Sequence, residues 1–154
     1  MEPFWVYMDS PLGLIEIGAT ADGISSLLFV EQRRSTSLSS PLLEMAQAQL
    51  DEYFSGRRRQ FDLPLDLHGS AFQQRVWAQV NKIPYGQTLS YADIARALGN
   101  PRSTRAVGMA VGKNPVAILV PCHRVIGSDG SLTGYGGGLW RKTWLLRHEG
   151  CWSG

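Results

Sequence analysis

The chain has 154 residues, of which 44% are hydrophobic and 18% charged, with a formal net charge of +2. That is enough chain, and enough apolar side chain, for one large or two small domains around a buried core, and it argues against a disordered chain. No apolar run approaches the roughly 18 residues of a membrane span and no basic-then-apolar leader opens the chain, so a soluble, cytoplasmic protein with no membrane partner is expected.

The opening stretch, "WVYMDSPLGLIEIGATADGISSLLFVE", alternates apolar with small or polar residues. Turn signals at Ser10–Gly13 and Ala21–Gly23 divide it into three antiparallel strands. "SSPLLEMAQAQLDEYFSG" reads as a helix: Ser40 caps it, Pro41 suits its first turn, and Gly56 follows its end. Leu42, Leu43, Ala46, Leu50, Tyr53 and Phe54 give that helix one apolar face. The stretch "RRRQFDLPLDLHG" is a connector with extended segments, and a domain boundary is expected near Gly69, giving domains 1–69 and 70–154.

The second domain opens with "SAFQQRVWAQVNKIPYG", where Ser70 and Gln73 have the spacing of a capping box. Ser90 and Asp93 form another at the start of "LSYADIARALGNPRSTRAVGMAVGKNP", and Gly99 closes that helix. Asn100 is expected to cap a further helix with Pro101 at its first position, and the pair has the grammar of a helix-turn-helix. "VAILV" reads as a buried strand, "GSDGSLTGYGGG" as a glycine-rich loop, and "LWRKTWLLRHEG" as a last helix stopped by Gly150.

Charge is unevenly divided. Residues 1–69 hold ten acids and five bases, residues 70–154 three acids and ten bases. A surplus of seven positive charges in the second domain fits either a polyanionic partner or an ordinary surface excess. The second helix of the helix-turn-helix is bare: Ala106 and Ala110 form one stripe, Gly108 and Gly112 the next, with Arg105 and Lys113 near its ends. Each internal glycine costs about 1 kcal/mol relative to alanine, so two need a reason. Either the helix packs tightly on the core, or its backbone presses against something large. Short side chains suit a minor groove, where little sequence information is available, so any DNA binding should be dominated by phosphate contacts.

Two cysteines occur, Cys122 and Cys151. Neither lies in a CxxC or a zinc-type cluster, so no metal and no cofactor are expected, and Cys151 reads as a terminal thiol without a role. Cys122 stands between Pro121 and His123 in "PCHRV". It is either a buried structural thiol or a nucleophile. As a nucleophile it needs a base, and neighbours on an extended strand point apart, so Cys122 and His123 communicate only through a turn or a water. Glu149 in "HEG" is a candidate to orient the imidazole.

"PCHRVIGSDGSLTGYGGG", with "IPYGQTLSYADIA", "RAVGMAVGKNPVAILV" and "LLRHEG", resembles the O6-alkylguanine-DNA alkyltransferases over about residues 70–150. The first domain is similar only in its strands-then-helix pattern. The resemblance implies an α+β chain: a three-stranded antiparallel sheet with a helix, ribonuclease H-like, packed on a mainly helical domain carrying the helix-turn-helix. It implies double-stranded DNA containing O6-alkylguanine as partner, O4-alkylthymine being left open, and a monomer that flips the damaged base and takes its alkyl group once, irreversibly, on Cys122. His123 is then the base through a water, and Glu149 polarises it. Asn114 ties the recognition helix to the active-site turn, and Tyr91 donates to the flipped base. Tyr135 and the Gly136 backbone line the base pocket, and the Val125 and Cys122 carbonyls accept from the exocyclic amine. Arg105 fills the gap left by the flipped base, and Thr104, Ala106, Gly108, Lys113 and Arg124 complete the DNA-facing set. Trp140 is bulky for its place beside the pocket loop and is expected to narrow the tolerance for large alkyl groups. Two rivals stay open on the residues alone: a helix-turn-helix regulator with a buried cysteine, and a cysteine hydrolase.

Overall fold

A computed structural model of the chain describes residues 4–35 and 37–152. The architecture is α+β, and the chain divides into two compact units, Met1–His68 and Gly69–Gly154.

In the first unit β1 (Phe4–Met8), β2 (Ile15–Ala19) and β3 (Ile24–Phe29) form an antiparallel sheet in the order β1-β2-β3. β2 is central and buried along its whole length. Its Ile15 and Ile17 are fully buried, as are Leu43, Leu50 and Tyr53 of α1 (Pro41–Phe54), which packs on β1 and β2. Each such side chain contributes about 1.5–3 kcal/mol by leaving water. Ser40 caps α1 as expected, its side chain accepting from the Leu43 amide. Glu16, on the alternate register of β2, is buried too, and Tyr7 and Arg34 satisfy it at 2.7 and 3.0 Å. Gly23 is required for space: a Cβ there would fall 2.8 Å from the Pro64 carbonyl oxygen, and the same backbone accepts from the Ile24 amide at 2.8 Å.

The second unit is built on three mutually packed helices, α2 (Ala71–Val80), α3 (Tyr91–Ala97) and α4 (Thr104–Gly112). Both expected capping boxes are formed, Ser70 with Gln73 and Ser90 with Asp93. Val76, Val80, Ile94 and Val107 are fully buried, and Trp77 donates its indole N–H to the Ala110 carbonyl at 2.8 Å, tying α2 to α4. α3 ends at Gly99, whose φ of +78° is a left-handed conformation that glycine adopts freely. A 3₁₀ turn, Pro101–Ser103, then leads into α4. Asn100 does not cap it with its side chain; instead its carbonyl accepts from the amide and hydroxyl of Ser103.

"VAILV" is not a strand. Val116, Ile118, Leu119 and Val120 are buried as a strand reading requires, but the segment is folded on itself by Leu119-to-Ala117 and Val120-to-Val116 amide–carbonyl bonds. Ile118 has φ +72°, uncommon for a β-branched residue. The chain reverses between the end of α4 and Cys122, and apolar burial holds that reversal with an isolated Ala117–Val120 bridge in place of a strand ladder. The strand that does form nearby is β5 (Val125–Ile126), parallel to β4 (Leu89–Ser90). α5 (Leu139–His148) closes the unit and ends at Gly150, with φ +78°.

Candidate active site

The reversal delivers Cys122 into a 3₁₀ turn, Cys122–Arg124, preceded by Pro121. All three residues of the turn are buried. Asn114, just beyond α4, fixes the approach. Its amide nitrogen donates to the Val120 carbonyl at 2.9 Å and to the Cys122 sulfur at 3.2 Å, while its oxygen accepts from the Val116 amide at 3.0 Å. The Tyr135 hydroxyl is buried beside the same sulfur without a hydrogen bond of good geometry. Burial pushes the Cys122 thiol up, and the Asn114 bond only partly opposes this, so at neutral pH the resting group is the thiol. A nucleophile in this state needs a base at the moment of reaction.

The turn lets His123 leave the strand geometry that would oppose it to Cys122. Its Nε2 lies 2.8 Å from Glu149 Oε2, and both side chains are fully buried. A carboxylate only accepts, so Nε2 carries the hydrogen and Nδ1 is the basic nitrogen. That Nδ1 is buried and meets no protein donor or acceptor among the described residues. Burial lowers the His123 pKa, Glu149 raises it, and the Arg124 and Lys142 charges lower it, for a net downward shift that leaves a neutral imidazole. Burial opposes ionisation of Glu149, but bonds from His123 and Arg124 outweigh it and hold the carboxyl far below its usual range.

Arg124 is not where the resemblance expects it. Its Nε donates to Glu149 Oε1 at 2.7 Å, its Nη2 to Oε2 at 2.9 Å, and its Nη1 to the Ile83 carbonyl at 2.6 Å. A guanidinium buried and spent in this way does not reach a phosphate, so Arg124 leaves the DNA-facing set. Lys142, fully buried, has a similar history: its ammonium donates to the Val125 carbonyl at 2.7 Å and the Thr133 carbonyl at 3.1 Å, and burial lowers its pKa to about 8. The signal for it was present in the sequence. Lys142, Leu145, Leu146 and Glu149 recur at i, i+3, i+4 and i+7, the buried stripe of α5.

A cavity of about 510 Å³ is lined by Tyr91, by Thr104, Gly108, Val111 and Gly112 of α4, and by Thr133–Gly136 of the glycine-rich loop, including the Tyr135 that lies against Cys122. The Tyr91 hydroxyl meets Thr133 Oγ1 at 2.9 Å, joining α3 to that loop. The two glycines of α4 are not explained by packing. An added Cβ at Gly108 would touch the Tyr91 ring at an ordinary 3.8 Å, and at Gly112 it would meet no described atom within 4 Å. Both glycines line the cavity. Arg105, Ala106 and Lys113 are exposed along α4. The Val125 carbonyl already accepts from Lys142, and the Cys122 carbonyl from the Val125 amide, which leaves each one further lone pair. Trp140 does not narrow the cavity: it is 55% exposed, lies outside the lining, and packs near Gly138 with the Arg141 guanidinium 4.6 Å from its ring. Among the described residues, no three His, Cys, Asp or Glu side chains gather into a metal-holding group.

Two family descriptions match the chain. Residues 4–67 match "6-O-methylguanine DNA methyltransferase, ribonuclease-like domain", and residues 71–151 match "6-O-methylguanine DNA methyltransferase, DNA binding domain". A methylated-DNA–protein-cysteine methyltransferase of Mycolicibacterium paratuberculosis is 48% identical over 147 residues, covering 92% of this chain and 89% of its own. The constitutive methylated-DNA–protein-cysteine methyltransferase of Bacillus subtilis is 42% identical over 156 residues, covering 95% and 94%. Among solved structures, Mycobacterium tuberculosis OGT in complex with DNA superposes with a TM-score of 0.87 at 47% identity, over 95% of this chain and 92% of that one.

Proposed function

The chain belongs to the 6-O-methylguanine DNA methyltransferase family, and on that premise we propose that it repairs duplex DNA by moving the alkyl group of O6-alkylguanine onto its own Cys122. The observation that carries this reading is the arrangement around one sulfur. A buried thiol is bonded to Asn114, follows a cavity-lining tyrosine in space, and precedes in sequence a neutral histidine held by a buried carboxylate.

The cavity is of the size that takes a small ligand, and a base inside a duplex reaches it only by leaving the stack, at a cost of a few kcal/mol. Arg105, exposed at the start of α4, fills the space the base leaves, while Ala106, Gly108 and Thr104 let the helix lie close to the groove and Lys113 meets phosphate. His123 takes the thiol proton at Nδ1 through a water. A bond then forms from Cys122 Sγ to the alkyl carbon as the carbon–O6 bond breaks, and its electron pair stays with the guanine. Hydrogen bonds from Tyr91 and the Gly136 amide stabilise that charge as it develops. The exocyclic amine donates to the remaining lone pairs of the Val125 and Cys122 carbonyls. The product is a thioether, which no group in the site cleaves, so each chain reacts once. No cofactor takes part, and a monomer acting in the cytoplasm is the expected setting; no described helix is long and apolar enough to cross a membrane.

The test is a duplex carrying one O6-methylguanine labelled in its methyl group. Label is expected on the protein at no more than one per chain, absent from Cys122→Ala, and acquired at least tenfold more slowly by Glu149→Gln, in line with the usual contribution of a general base. Arg105→Ala is expected to lose more rate on the duplex than on free O6-benzylguanine. Repeated turnover, or label on Cys122→Ala, overturns the reading.

A further inference from the structure

We propose that Arg124 is a positioning residue of the transfer reaction: its guanidinium grips both oxygens of Glu149, so that this carboxylate orients the His123 imidazole without charging it. The inference rests on His123 being the base. It starts from a conflict in the site. A carboxylate 2.8 Å from an imidazole normally favours the imidazolium, and an imidazolium has no lone pair with which to take the proton of Cys122.

The geometry resolves the conflict. Arg124 meets Oε1 at 2.7 Å and Oε2 at 2.9 Å, so the oxygen that accepts from His123 is the one that also accepts from Nη2. The carboxylate charge is compensated before the imidazole reaches it. What remains toward His123 is an acceptor of fixed direction, which selects the tautomer with hydrogen on Nε2 and leaves Nδ1 as the base. A third donor, Nη1 on the Ile83 carbonyl at 2.6 Å, and the Tyr85 ring 5.8 Å away lock the fork in place. Only a planar fork of donors makes this two-pronged contact; a lysine ammonium is a point charge on a shorter stem. The charged groups acting on His123 are Glu149 at the end of α5, Arg124 in its own turn and Lys142 of α5, and the two cations both favour the neutral ring.

The experiment reads the imidazole and the reaction separately. The ring nitrogens of His123 are titrated by NMR in the wild type, Arg124→Gln and Arg124→Lys, and methyl transfer from an O6-methylguanine duplex is followed over the same pH range, below each variant's melting temperature. In the wild type the ring is expected to stay neutral with hydrogen on Nε2 wherever transfer is fast. In Arg124→Gln the titration and the acid limb of the rate are both expected to move up by about one to three pH units, the effect of an uncompensated neighbouring charge. Arg124→Lys moves them in the same direction by less, and it carries the test alone if Arg124→Gln does not fold. A merely structural arginine lowers the rate at every pH and leaves the titration in place, and that result overturns the proposal. A titration that moves while the acid limb stays put upholds the role of Arg124 and removes His123 as the base.

Discussion

Glu149 is a carboxylate shared by a guanidinium and a neutral imidazole, and that sharing sets how the protein responds to acid. Unfolded, it takes a proton near 4.5; folded, the bonds from His123 and Arg124 hold it ionised far below that. The stability it contributes is complete above about 4.5 and is lost as the pH falls through that range toward the folded value, because the unfolded chain then binds more protons. His123 acts in the same direction from a higher pH: its folded pKa lies below 6.5, so the unfolded chain gains a proton first. The melting temperature is therefore expected to fall in two stages as the pH is lowered, below 6.5 and again below 4.5. Glu149→Gln leaves Arg124 buried without its carboxylate, which costs about 3–5 kcal/mol at neutral pH, and it flattens the second stage. Melting curves from pH 7 to 3 decide this, and an acid slope equal to that of the wild type would assign the second stage to other carboxylates. Cys122, His123 and Glu149 were legible in the sequence because PCHR and HEG are short motifs with chemistry in them. Arg124 was not, because a basic residue is read as solvated until its burial is known, and Lys142 was passed over for the same reason although it lies on the buried stripe of α5.

At the scale of elements, the sequence showed which segments are buried more surely than how their backbones run. "VAILV" has strand composition, yet Val116–Val120 folds back on itself, since nothing in a run of apolar residues distinguishes a paired strand from a buried reversal. The capping boxes were legible because they are local hydrogen-bond chemistry, and both formed. The bare α4 had two readings, and the empty space around Gly112 speaks against tight core packing at that residue. Since no described atom lies within 4 Å of an added Cβ there, Gly112→Ala should stabilise the helix by up to about 1 kcal/mol. The same methyl group would stand at the wall of the cavity that we propose takes the base. The variant is thus expected to melt higher than the wild type, by a few degrees, while transferring methyl from duplex DNA more slowly. Thermal melting and single-turnover transfer on one preparation check both halves. A variant both less stable and fully active would return the glycine to core packing.

Over the whole molecule, charge separates the two units more clearly than any motif does. Met1–His68 carries ten acids and five bases, Gly69–Gly154 three acids and ten bases, and one of those three acids, Glu149, is buried in an ion pair. The second unit therefore presents positive charge almost unopposed by its own carboxylates, and Arg105 and Lys113 at the ends of α4 are exposed to use it. A duplex held this way is held by release of counterions, so the logarithm of affinity should fall linearly with the logarithm of salt, by about 0.9 for each phosphate neutralised. Removing one phosphate contact with Lys113→Ala should reduce that slope by about 1 and weaken binding equally on all sequences. The chemistry at Cys122 has no such dependence, because its partners Asn114, His123 and Glu149 are neutral, or paired out of reach of mobile ions. Transfer from free O6-benzylguanine is accordingly expected to hold within twofold between 50 and 200 mM salt, a range over which a protein with several phosphate contacts loses on the order of 10³ in duplex affinity. Titrations of duplex binding at four salt concentrations, set beside free-base reaction rates in the same buffers, separate the two. A free-base rate that falls in step with duplex affinity would mean that the site itself, and not the groove-facing surface, carries the salt-sensitive charge.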